Sequence, residues 1–118
     1  MRRVSYKALR LRDQCDDLCR QVVAKRRVCE RCDTARAVDV AHLIPRRFNR
    51  TRCDLLNVTA LCRSCHTDID MHPEMKEAFA VDRLGVESWE LLKLTAEFAA
   101  PLGEEFWVET RDRLRRSL

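Results

Sequence analysis

The stretch LCRSCHTDIDMH, Leu61–His72, sets two cysteines, an adjoining histidine, two aspartates and a second histidine within twelve residues. Cys62 and Cys65, two residues apart, have the spacing of one half of a tetrahedral thiolate site for zinc. The other half is Cys29-x2-Cys32, and 29 residues separate the two pairs. Each pair offers two sulfurs from one tight knuckle, so together they predict a four-thiolate structural zinc site. Such a site is closed and has no catalytic position. His66, directly after Cys65, therefore needs another explanation, as do His42 and His72, the remaining histidines.

Seven cysteines are an odd number, and four of them fall into C-x-x-C pairs. That pattern favours metal over a disulfide framework. Cys15, Cys19 and Cys53 read as small apolar side chains. The chain of 118 residues has 2 glycines and 3 prolines, which predicts a single mostly helical domain with one modest core. No run is long and apolar enough for a membrane span, and MRRVSYKALRLRDQ lacks the apolar centre of a signal peptide. A cytoplasmic protein without a membrane role is the expectation.

Charge divides unevenly along the chain. Residues 1–72 hold 16 Lys+Arg against 9 Asp+Glu, while residues 73–118 hold 7 against 10. The positive half also carries the cysteines and histidines, so its expected partner is a polyanion. A solvated helix face is the plainer explanation of the same counts.

Three segments follow from the pattern. Residues 1–28 supply an N-terminal helix, read over 5–27, with Leu9, Leu11, Leu18, Val22 and Val23 as its apolar face. Residues 29–72 contain the first knuckle, a strand at 37–44 ended by Pro45, a basic loop RRFNRTRCD, a returning strand near LLNVTAL and a helix over 63–71. Residues 73–118 form a helical tail. Its first helix starts near Pro73 and stops at Gly85, its second uses Ser88 as N-cap, and its third is acidic at the start and basic at the end. Trp89, Phe98, Phe106 and Trp107 read as packing anchors.

Taken in order, CERC, VDVAHLIPRR, LLN and LCRSCH resemble the zinc-framed HNH endonucleases. The resemblance covers residues 29–72, with His42 fifteen residues before Asn57 and Asn57 nine before His66. It implies an α+β, mostly helical fold with a ββα-metal, treble-clef-like core: a histidine-bearing hairpin packed on a ligand-bearing helix. The flanks, TRCDLLN and HPEMKEAFAVDRLG, further resemble phage and prophage members of the family, implying a phage-infected or prophage-bearing bacterial cell.

The resemblance implies that His42 is the general base, that His66 binds a single catalytic divalent ion (Mg²⁺, Mn²⁺ or Ni²⁺), and that Asn57 bonds the loop between the strands. Those residue types suit phosphodiester hydrolysis, which needs an activated water and a cation on the phosphate. The chain departs from the family at Ala41, where many members place an acid or a histidine on the metal. Asp39, two residues back on the same strand face, and Asp70, one turn after His66, are the candidate replacements. His72 lies off the His66 face and reads as structural.

Arg46, Arg47, Arg50 and Arg52 follow the strand directly and are candidates to hold backbone phosphates without reading sequence. The expected substrate is DNA rather than RNA, nicked by a monomer, and the C-terminal helices are candidates for a homodimer or protein contact. The rival reading is a non-catalytic treble-clef zinc module binding nucleic acid or a protein. A third is a helical interaction protein with a zinc staple.

Overall fold

The structure is a computed structural model and describes residues 5–118. Its elements run α1 (Tyr6–Ala24), β1 (Asp39–His42), α2 (Asn49–Arg52), β2 (Val58–Leu61), α3 (Arg63–Met71), α4 (Pro73–Leu84), α5 (Val86–Glu97) and α6 (Glu104–Arg116). The chain is thus mostly helical, with one small antiparallel sheet.

Helix α1 begins where the Ser5 hydroxyl accepts the Ala8 amide at 3.0 Å, satisfying one of the orphan donors of the first turn. Ala8, Leu11, Cys15, Leu18, Cys19, Val22 and Val23 recur at helical spacing and are all buried. The small thiols of Cys15 and Cys19 pack there as apolar side chains, Cys15 also donating to the Trp107 carbonyl at 3.3 Å. Helix α6 packs on this stripe through Trp107 and Leu114.

The hairpin sits between two cores. In its register Val40 faces Ala60 and His42 faces Val58, while Asp39 faces Leu61 and Ala41 faces Thr59. Side chains alternate across a strand, so the first set lies on one face and the second on the other. Val40, Val58 and Ala60 join α1 and α6 in one core. Ala41 and Leu61 join Ile69 of α3, Phe79 and Ala80 of α4, and Trp89 and Leu92 of α5 in the other. Buried on both faces, β2 is apolar except at Thr59, whose hydroxyl donates to the Ala41 carbonyl.

The first knuckle is a tight loop closed by a Val28–Arg36 bridge and by the Cys29 amide donating to the Ala35 carbonyl. Asp33, just past Cys32, has a φ of 58°, a left-handed conformation that a β-branched residue resists. Asp33→Val should therefore cost about 1–2 kcal/mol relative to Asp33→Gly. Urea midpoints of the two variants measure this difference.

The tail follows the expected punctuation, with Pro73 in the first turn of α4 and Gly85 at φ 82° closing it. Three details differ from the sequence reading. Helix α5 starts directly from Gly85, so Ser88 falls inside its first turn and caps nothing. The basic loop contains a single helical turn, α2, ending at the buried Cys53. Phe98 is 64% exposed and lies under the Arg50 guanidinium, whereas Trp89 and Trp107 are buried anchors as expected.

Candidate functional site

The two C-x-x-C pairs converge. One sulfur from each of Cys29, Cys32, Cys62 and Cys65 lies within 4.8 Å of every other. Zn–S bonds of about 2.3 Å in a tetrahedron place sulfurs roughly 3.8 Å apart. The donor set and its spacing therefore fit one zinc ion. Cys62 is also the N-cap of α3, its sulfur accepting the Cys65 amide at 3.4 Å. The second knuckle and the start of the helix are one structure, which fixes the direction of whatever follows Cys65. A hydrogen bond from the Thr34 hydroxyl, helped by backbone amides, lowers the Cys32 thiol to about 6.

His66 follows Cys65 in the first turn of α3, between two carboxylates. Its Nδ1 lies 3.0 Å from Asp39 Oδ2 and its Nε2 lies 3.3 Å from Asp70 Oδ2. Asp39 is also forked by Arg63, whose Nε and Nη2 donate at 2.9 and 3.1 Å. The Arg63 hydrogen bonds, followed by that of His66, hold the Asp39 carboxyl below its usual range. Asp70, in contrast, is 56% exposed and among the described residues is paired with the ring alone. The two aspartates are therefore not equivalent: one is tied to the fold and the other is open.

His42 occupies the opposite face of the hairpin, toward α1. Its Nε2 donates to the Arg52 carbonyl at 2.9 Å, leaving Nδ1 of the neutral ring as an acceptor. Burial lowers the His42 pKa below its ordinary value, with the carbonyl bond opposing. The ring borders a cavity of about 120 Å³ shared with Asp16, Cys19, Arg20, Val40 and Arg46. His66 does not line it. The two imidazoles expected at one site thus lie on opposite faces of a two-stranded sheet.

Asn57 is wholly buried and joins the hairpin to its loop. Its Oδ1 accepts the Ile44 amide at 2.7 Å, and its Nδ2 donates to the carbonyls of Ile44 at 3.1 Å and Thr51 at 3.0 Å. Thr51 precedes the residue whose carbonyl holds His42. The amide therefore fixes the segment that orients the ring.

The four arginines separate into two kinds. Arg52 is 11% exposed and forks Asp16 of α1 at 2.9 and 2.7 Å. Arg50 donates to the carbonyls of Phe98 and Ala100 beyond the end of α5. Both are structural ties within the fold. Arg46 is more exposed and contacts the outer oxygen of Asp16 at 3.2 Å, and Arg47 lies over the Phe48 ring. These two remain accessible.

Asp16 and Arg63 are site residues that sequence reading missed. Asp16 is one of three acids in RDQCDDLCR, and only its place beside buried Cys15 and Cys19 distinguishes it from the exposed ones. Arg63 lies three residues before His66, the spacing of neighbours on one helix face. Burial disfavours the Asp16 charge, but the Arg52 fork and the Arg46 charge outweigh it and lower its pKa. Asp16→Asn leaves Arg52 half-paired and should cost about 3 kcal/mol at neutral pH. Since the carboxyl is depressed in the fold, its stabilisation is present above about pH 4 and fades as pH falls through the lower folded value. The gap between wild type and variant in urea unfolding should narrow below pH 4.

No family model, curated protein or solved structure matches this chain. Among the described residues no helix is long and apolar enough to cross a membrane.

Proposed function

We propose that this chain is a zinc-scaffolded, metal-dependent endonuclease of the HNH kind, hydrolysing phosphodiester bonds in DNA. The observation that carries the proposal is the buried Asn57 amide, which ties the loop between the strands and so supports the carbonyl that orients His42. A neutral ring with Nε2 occupied and Nδ1 open is the state a general base needs.

A divalent ion such as Mg²⁺, Mn²⁺ or Ni²⁺ would supply the positive charge that stabilises the phosphate as charge develops on it. His66 Nε2 and Asp70 are the donors best suited to hold it, being one turn apart and open to solvent. Asp39 serves the same site differently, accepting from Nδ1 and fixing ring direction, as carboxylates behind metal-bound histidines do. Arg63 holds Asp39 in turn. Two protein donors suit an ion that keeps waters and takes the rest of its ligands from substrate. Arg46 and Arg47 would hold adjacent phosphates, so binding weakens steeply with salt.

A phosphate served by both imidazoles must approach along the outer edge of β1, where one strand separates the faces. The same geometry, with Ala41 in place of a ligand, favours the second reading: a treble-clef zinc module that binds DNA or a protein without cutting. Incubating supercoiled plasmid with zinc-loaded protein and Mg²⁺, Mn²⁺ or Ni²⁺ separates them. The nuclease makes open circles, at rates falling about a hundredfold or more in His42→Ala and His66→Ala. Because burial lowers the His42 pKa, the rate should hold through the ordinary histidine range and fall only at lower pH, as the ring gains a proton and loses its acceptor. Retained binding with no metal-dependent nicking would leave only the zinc module.

A further inference from the structure

A second cavity lies apart from both imidazoles. It holds about 680 Å³, within the roughly 300–1,000 Å³ range of small-molecule sites. Its walls are the first turns of α1, residues 47–50 at the start of α2 and the segment joining α5 to α6. Three guanidiniums line it, Arg12, Arg47 and Arg50, together with the rings of Phe48, Phe98 and Trp107.

Cation and ring alternate along the wall. Arg47 lies 4.7 Å above Phe48, and Arg50 lies 4.8 Å above Phe98. The one acid among the described lining residues, Glu104, already accepts from Ser5 at 3.0 Å and pairs with Lys7 at 3.8 Å.

We infer that this cavity takes one nucleotide unit, its base against Phe48 and Phe98 and its phosphate on Arg12 and Arg47. A flat ring stacks on the exposed phenyl face of Phe98, and a phosphate meets the guanidiniums that line the cavity. A carboxylate ligand such as a run of acidic residues brings no flat face to stack. The inference rests on the nucleic-acid reading above and requires no hydrolysis.

Calorimetric titration of the zinc-loaded full chain tests it, with deoxyadenosine 5′-monophosphate in one arm and a ten-nucleotide single strand of deoxyadenosine in the other. Binding of either probe should weaken about tenfold in Phe98→Ala, an exposed position where folding is safe, and comparably in Arg12→Gln. Binding in the first arm assigns a free nucleotide, and binding in the second alone assigns a unit of a strand. Failure of both probes at millimolar concentration, or binding that neither substitution changes, overturns the inference. Plasmid nicking on the same preparations keeps the two readings apart: nucleotide binding without nicking sinks only the hydrolase, and nicking without nucleotide binding sinks only the pocket.

Discussion

Chelating zinc from this chain, or replacing Cys65 with serine, should unfold the hairpin and α3–α5 at room temperature. Three of the four cysteines, Cys29, Cys62 and Cys65, are members of the core formed with Ile69, Phe79, Trp89 and Leu92. Without an ion, four thiols crowd within 4.8 Å where no disulfide joins them. Apparent zinc-binding free energies in small sites are about 10–16 kcal/mol at neutral pH. A domain of this size has a net stability of about 5–15 kcal/mol, so loss of the ion removes a contribution as large as the whole. Far-ultraviolet circular dichroism and the fluorescence of Trp89, read in a Trp107→Phe background, before and after chelation and again after added zinc, measure it. An unchanged melting temperature would mean that the four sulfurs hold no ion.

Asn57→Asp should be the most damaging substitution outside the cysteines, at about 4 kcal/mol near neutral pH. The amide fills a wholly buried position with one acceptor and two donated bonds. A carboxylate there would turn an oxygen toward the Ile44 and Thr51 carbonyls, two acceptors that repel it. Protonation would restore one of the two donated bonds, so the new acid would have a raised pKa in the fold. The sign follows: the variant is least impaired below about pH 4 and loses stability as pH rises through its folded value. Urea unfolding at several pH values reads both the size and the slope. A loss under 1 kcal/mol at neutral pH would remove Asn57 as the tie of the loop, and with it the main support for His42 as an oriented base.

The elements of this fold were legible wherever a local pattern sets them. The C-x-x-C spacing fixed the thiolate cluster because two sulfurs per knuckle leave little choice of partner. Helix α1 followed from its apolar spacing, and Pro73 and Gly85 bounded α4 through their backbone restrictions. The strand read over 37–44 shortens to Asp39–His42, with its antiparallel partner at Val58–Leu61. Short-range features with weak chemistry were not legible. Four residues of α2 contain no period, and a serine placed like a cap cannot announce that Gly85 has already started the helix.

Long-range pairing was the larger gap. Nothing local says that α6 returns to α1, nor that the hairpin divides two cores. Asp16 and Arg52 are 36 residues apart, yet their fork removes one expected phosphate contact and fixes the carbonyl that holds His42. The candidate metal residues fared differently. Asp39 and Asp70 were equal on sequence, and both reach His66. Only the fold separates the one clamped by Arg63 from the one open to solvent.

A zinc-loaded crystal soaked in Mn²⁺ and measured by anomalous scattering tests the central proposal most directly, that the chain serves two ions at separate addresses. The account predicts zinc at the four sulfurs and manganese about 2.2 Å from His66 Nε2, with Asp70 beside it and Asp39 still on Nδ1. Manganese absent from His66 while the sulfur site is full would contradict it.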